Sequence, residues 1–287
     1  MIQVISVVAY LLLAPFVGGI LDGAGRIVSA RMQGRKGPPL LQPFYDIWKL
    51  LTKQMFAVNS VQLLLNLSYL IFLAVAGCML FAGADILMCL FVLTTADMFL
   101  IMAASSDSSP FATLGAGREM IQMMAYEPLT LLMSVGFYLA TGSFHVGTII
   151  TREYSAVLFL PGMLVGFFFI TAIKLRKSPF DLSTSHHAHQ EMVKGITTEM
   201  AGPTFAIMNV AEYYEMVLML GLVAIFFLNK NWWSWPLAIF LCLFVYFLEI
   251  LWDNVCGRVK WKTLLGSCWI VTLLSGGLNL LILMLIQ

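Results

Sequence analysis

Apolar residues run through this chain in long blocks, broken at intervals by short polar stretches. A bilayer core of about 30 Å requires roughly 20 mostly apolar helical residues to cross it. Blocks of that kind lie near 2–21, 63–82, 84–104, 120–140, 156–173, 204–228, 235–252 and 263–286, which predicts about eight transmembrane helices. The second and third are divided only by a tight turn at Ala82–Asp85. Two of the intervening stretches are patterned as well. In 43–56, Phe44, Ile47, Trp48, Leu51 and Met55 recur at helical spacing and form one apolar face. Asp46, Lys49 and Lys53 fall on another face, with Asp46 and Lys49 spaced to pair at i, i+3. This predicts an amphipathic helix along the membrane surface or under a partner subunit, entered through the stiff basic turn Gly34–Pro39. The stretch 174–203, punctuated by Pro179 and Gly195, is long for a connector and reads as a cavity wall or a docking surface.

Composition fits the same architecture. Of the 287 residues, 60% are hydrophobic and 11% charged, against roughly 25% charged in soluble domains. Too little polar surface exists to clothe a water-facing shell. A net charge of +1 excludes a strongly basic nucleic-acid binder and an acidic solvating protein alike. The fold class is therefore an all-α integral membrane protein with long structured loops, and 1–287 is read as a single domain. Basic residues concentrate on the cytoplasmic side of membrane proteins. With eight spans, fourteen of the sixteen Lys and Arg residues fall on one set of loops, and only Arg152 and Lys230 on the other. The expected topology is multi-pass in the cytoplasmic membrane, both termini outside, the long loops inside. The first block follows no basic segment and reads as a retained span, not a cleaved signal. Trp232, Trp233 and Trp235 cluster as interfacial anchors would.

Ionisable groups at membrane depth are costly and mark ion or substrate paths by default. The candidates are Asp97, Glu127, Glu212, Glu215 and Glu249, the last close to a helix end. Glu119, Gln122, Met123, Tyr126 and Glu127 share one helical arc, and Asn209, Glu212 and Tyr213 cluster at i, i+3, i+4 on a later helix. With few bases nearby, such acids can titrate near neutrality, as a proton relay requires. The alternative is protonated acids in helix–helix hydrogen bonds. Five scattered cysteines without a CxxC pair point to no iron–sulfur cluster in this chain. His186, His187 and His189 lack the spacing of a metal site and suggest proton buffering or subunit contact. No phosphate-binding, dinucleotide-binding or nucleophile-elbow motif occurs.

Four segments, in order, carry a resemblance: ARMQGRKGPPLLQPFYDIWKLLTKQ (30–54), GAGREMIQMMAYEP (115–128), SPFDL (178–182) and GPTFAIMNVAEYYEM (202–216). They are similar to the membrane subunit that forms the quinone chamber of complex I, a family shared with energy-converting nickel–iron hydrogenases. Residues 108–119 and the histidine-bearing stretch after Ser178 resemble the membrane subunit of the ferredoxin-dependent Ech-type hydrogenases in particular.

The resemblance implies a coupling subunit without a redox cofactor of its own. Its partners would be a nickel–iron large subunit, an iron–sulfur small subunit with 4Fe–4S clusters, a ferredoxin-like subunit and antiporter-like membrane subunits, with ferredoxin as donor. Its chain of acids falls on Glu127, Glu191, Glu199 and Glu212, with Arg118 matching too, and Asp97 and Glu215 join them as intramembrane acids. Arg35, Lys36, Asp46, Lys49, Lys174, Asp181, His186, His187 and His189 are expected to dock partner subunits. Complex I subunits usually carry Glu where this chain has Lys174, a departure that weighs against quinone. Two alternatives stay open: a quinone-binding subunit of a respiratory dehydrogenase, and a free-standing transporter, which would often show internal repeats that are not evident here.

Overall fold

The structure, a computed structural model, describes residues 2–54, 59–107, 109–177, 179–180, 183–184 and 194–286. Its elements are α-helices joined by short turns: α1 (Ile2–Met32), α2 (Gln42–Leu51), α3 (Ser60–Phe81), α4 (Ile86–Ser105), α5 (Pro110–Thr141), the short α6 (Val146–Ile150), α7 (Pro161–Lys174), α8 (Pro203–Phe227), α9 (Ser234–Val255), α10 (Trp261–Val271) and α11 (Leu278–Ile286). One π turn, Thr272–Gly277, joins α10 to α11. Seven helical stretches among the described residues are long and apolar enough to cross a membrane.

The eighth expected span is shorter than its apolar block. Pro161 has no N–H to continue a helix backwards and forces the residue before it out of helical geometry. Residues Ala156–Leu158 therefore form a 3₁₀ turn, and α7 has only 14 residues. Asn279 of α11 closes this break, accepting from the Met163 N–H (3.1 Å) and donating to the Phe159 carbonyl (3.1 Å). Two other helices run further than hydropathy suggests. α1 extends past residue 21 to Met32, and α5 begins at Pro110 instead of residue 120. Their polar ends stand as rigid helix where loops were expected. That places Asp22, Arg26 and Glu119 on fixed rods.

α8 is the central staff, packed against α1, α2, α3, α7 and α9. Without a hydrophobic driving force between helices in lipid, close backbone approach through small residues supplies the packing. Gly18 of α1 shows this: a Cβ there would sit 2.5 Å from the Tyr213 carbonyl oxygen of α8. The amphipathic helix forms as α2 but is turned differently from expectation. Pro43 is buried and Phe44 rests on Gly19 of α1, whereas Tyr45, Trp48 and Leu51 face outward at 60%, 73% and 52% exposure. Asp46 does not pair with Lys49. It accepts from Arg26 (2.9 Å) and from Gln42 (2.9 Å), so the neighbouring helix end supplies its partner.

A Gly18→Val substitution should push α1 off α8 and cost about 1–3 kcal/mol, read as a lower unfolding temperature of the purified protein. Gly266→Ala, where an added methyl meets nothing, should leave that temperature unchanged or slightly higher.

Candidate functional site: a buried charge cluster beneath a polar chamber

Lys174 is the last residue of α7, where a cation also complements the helix dipole. Its ammonium lies between two carboxylates on different helices, 2.5 Å from Asp97 of α4 and 2.9 Å from Glu215 of α8. All three side chains are less than a tenth exposed. Two tyrosines complete the shell. Tyr126 of α5 donates to Asp97 (3.0 Å) and Tyr69 of α3 donates to Glu215 (3.2 Å). The Lys174 ammonium also lies 5.4 Å from the Tyr126 ring centre. Five helices thus meet at one ammonium group.

The turn after α7 adds a second cation. Arg176 pairs with Glu212 (3.4 Å) and donates to the Thr184 hydroxyl (2.9 Å). Burial is the largest influence and lowers its pKa, but Glu212, Glu119, Tyr69 and Glu215 together raise it above the ordinary arginine value, and the guanidinium stays charged. Its backbone is informative. The Arg176 and Lys177 N–H groups bond back to the Ile173 and Ala172 carbonyls, a Schellman termination. That places Arg176 at φ +57°, where α1 and α3 use Gly34 and Gly83 for the same turn. A non-glycine residue in this region costs about 1–2 kcal/mol. The strain is tolerated where the side chain is needed.

Glu119, bonded by the Ser183 hydroxyl, closes a small cavity with Gln122, Tyr126, Tyr69 and the three cluster residues. Four carboxyls, Asp97, Glu119, Glu212 and Glu215, stand near two cations. Such a group can take up a proton and become closer to neutral. Above it lies a chamber of about 600 Å³, walled by α2, the polar end of α1, α8 and the segments that follow α7 and α9. Lys174, Arg176 and Glu215 line both spaces. Arg26 bridges Asp22 (2.8 Å) and Asp46 (2.9 Å) on the chamber wall, and Asp253 meets Arg258 (3.2 Å) there.

Several expected site residues change place. Lys174, expected to dock a partner, is instead buried at the centre: it stands one residue beyond the expected end of its span and turns inward to Asp97 and Glu215. Asp97, Glu212 and Glu215 come together. Glu127 is half-buried beyond Tyr126 and does not line the small cavity. Glu199 is exposed after the Gly195–Thr197 turn. Arg118 lies over the Trp261 ring, 5.4 Å from its centre, against α10. Arg35 and Lys36 are exposed, while Asp46 and Lys49 line the chamber. Asp181, His186, His187, His189 and Glu191 lie outside the described residues. Arg176 and Tyr69 were not expected in the site, and Tyr126 was expected only as a member of the polar arc on its helix. A phenol inside an apolar helix normally finds a polar partner, and that signal points at both tyrosines. Glu249, close to the end of its helix, is fully buried, with no hydrogen-bond partner among the described residues. No grouping of three metal-ligating side chains occurs among the described residues.

The comparisons with known proteins match this architecture. A family model described as NADH dehydrogenase matches residues 3–284. The chain belongs to that family. An NADH-quinone oxidoreductase subunit of Rhodospirillum rubrum is 30% identical, with 93% of this chain and 91% of that protein covered. Hydrogenase-4 component C of Escherichia coli is 29% identical, covering 77% of this chain and 73% of its own length. In the solved structure of the membrane-bound sulfane sulfur reductase, an archaeal respiratory membrane complex, one chain aligns with a TM-score of 0.85. It covers 99% of this chain and 100% of its own at 18% identity, a likeness of fold alone. The protein is thus a multi-pass membrane subunit of a complex I-like or hydrogenase-related respiratory complex.

Removing the central ammonium would leave two buried carboxylates uncompensated, which typically costs about 3–5 kcal/mol. Lys174→Met should therefore lower the unfolding temperature markedly, and adding Asp97→Asn should recover part of the loss. Arg176→Gly should do much less harm: it relieves about 1–2 kcal/mol of backbone strain, offsetting the lost pair with the partly exposed Glu212, so thermal stability should change little.

Proposed function

We propose that this chain is the membrane coupling subunit of a multisubunit energy-converting nickel–iron hydrogenase, joining a cytoplasmic redox arm to ion-pumping membrane subunits. The observation that carries the mechanism is continuity: Lys174, Arg176 and Glu215 face both the chamber and the buried cluster. A charge that appears in the chamber during turnover acts on that cluster at short range. At about 4 Å and an effective dielectric near 20, a unit charge is worth about 4 kcal/mol, roughly a thousandfold in a protonation equilibrium. The acids that respond in this reading are Asp97, Glu119, Glu212 and Glu215; Glu127 and Glu199 do not line the small cavity, and Glu191 lies outside the described residues. Conveying the proton onward to antiporter-like subunits turns the redox event into transport. The chain itself carries no redox cofactor in this reading. The nickel–iron centre and 4Fe–4S clusters belong to a large and a small partner subunit, with a ferredoxin-like subunit delivering electrons from ferredoxin. Both termini lie outside the cell membrane, and the chamber opens toward the cytoplasm.

Two features support the hydrogenase branch: the likeness to hydrogenase-4 component C and a lysine where the complex I pattern has an acid. A second reading, a quinone-binding subunit of a respiratory dehydrogenase, is favoured by the nearly full-length match to the quinone oxidoreductase subunit and by a chamber of ligand size.

Asp97→Asn should lower ferredoxin-driven ion transport by at least about tenfold while hydrogen evolution with an artificial donor persists; vesicle acidification and gas evolution measure the two. Transport equal to the unmodified complex would refute the role given to the cluster. The polypeptides that copurify with the chain separate the two readings, one predicting a nickel–iron subunit and the other an NADH- or quinone-linked set.

A further inference from the structure

The chamber wall is not electrically balanced. Arg26, Lys174, Arg176 and Arg258 each meet a carboxylate within 3.4 Å. Lys49, Lys53, Lys177 and Lys194 also line the chamber, and none of them has a carboxylate partner among the described residues. Lys194 instead lies over the Phe205 ring at 5.4 Å. Between these lysines the wall is apolar, formed by Leu50, Leu175, Phe205 and Met216. Arg26 and Lys174 each face two carboxylates and Lys177 acts on the buried Glu249, so the surplus is smaller than four, but eight cations against five carboxylates still leave the described lining net positive. A positive cavity of about 600 Å³ suits an anion, and the apolar strips suit one with a hydrocarbon part.

The position of α2 names the source. Its inner residues Lys49 and Leu50 face the chamber, and its outer residues Tyr45, Trp48 and Leu51 are exposed and apolar. A helix with one side on the chamber and an exposed apolar side has the pattern of an interfacial helix, and basic pockets at that level recruit anionic headgroups. A phospholipid is too large for the cavity alone, but its chains can extend past the exposed face of α2 while the headgroup sits inside. A neutral quinone would leave the four lysines as uncompensated as before.

We propose that the chamber binds an anionic membrane lipid, its phosphate held by Lys49, Lys53, Lys177 and Lys194 and its proximal chain against Leu50 and Phe205. This inference rests on reading the chamber as part of the coupling apparatus. The lipid then supplies a fixed negative charge above the buried cluster. Its field makes the addition of positive charge to the cluster beneath more favourable.

The test uses the complete purified complex in a nonionic detergent, with calorimetric titration of dioctanoyl phosphatidylglycerol. Dioctanoyl phosphatidylcholine, glycerol 3-phosphate and a decyl quinone serve as comparison ligands. The phosphatidylglycerol should bind at least about tenfold more tightly than any of the three. Each lysine near an anionic headgroup is worth roughly fivefold, so Lys53→Gln with Lys177→Gln should weaken binding about 25-fold, and the corresponding pair of arginine substitutions should retain it. If the glutamine pair fails to assemble, salt decides on the unmodified complex: phosphatidylglycerol affinity should fall steeply with ionic strength and phosphatidylcholine affinity should not.

Equal affinity for phosphatidylcholine, or none for phosphatidylglycerol, overturns the proposal. Tight binding of glycerol 3-phosphate alone would make this a site for a soluble anion, and preference for the quinone would make it a quinone site. Either result also overturns it. Ion transport by the Asp97→Asn complex judges the coupling reading separately, since lipid binding is measured without turnover.

Discussion

Everything in this site depends on one ammonium group held in a low-dielectric interior. Lys174 could not be there alone, nor could Asp97 and Glu215, because desolvating any of them costs several kcal/mol. Together they are tolerable, and the two tyrosine hydroxyls satisfy lone pairs that the lysine leaves open. The same requirement shapes the fold around it. α4, α7 and α8 must bring their charged side chains to one point, and α3 and α5 must each bring a tyrosine hydroxyl to one of the carboxylates. A glycine-mediated fit such as Gly18 against α8 keeps the surrounding helices close and rigid. In such packing a shifted charge is felt as a shifted equilibrium, because the dipoles cannot reorient as water would.

The short α7 follows from that arrangement. A helix that began at residue 156 and ran unbroken would pass the charge cluster with an ordinary apolar span. Pro161 starts it late, Asn279 seals the exposed backbone at its upper end, and the Schellman turn at Arg176 stops it abruptly with two cations facing inward. The strained Arg176 is the clearest sign of selection for chemistry over stability. Where α1 and α3 terminate in the same way, glycine occupies the left-handed position.

The chamber and the cluster form a graded passage. On the chamber wall the charges are partly exposed, as with Arg26, Asp46 and Glu212. In the cluster beneath, exposure falls below a tenth. Screening declines in the same direction, so a small change at the wide end is carried inward with less loss than it would suffer at a surface.

Hydropathy alone decided the all-helical membrane architecture, because about twenty apolar residues in a row leave few other ways to satisfy a backbone in lipid. It located every long helix, and the spacing of Phe44, Ile47 and Trp48 showed α2. The intramembrane acids Asp97, Glu212 and Glu215 were legible too, since a charge in an apolar block stands out whatever surrounds it. Only the tertiary structure decided which of them meet. Lys174 lies 77 positions from Asp97 and 41 from Glu215, and nothing local distinguishes it from the topological charges beside it. The rotation of α2, the rigid extensions of α1 and α5, and the inward turn of Arg176 are likewise set by packing partners distant in sequence. Periodicity shows that a helix has a face; contact with other helices determines where that face looks.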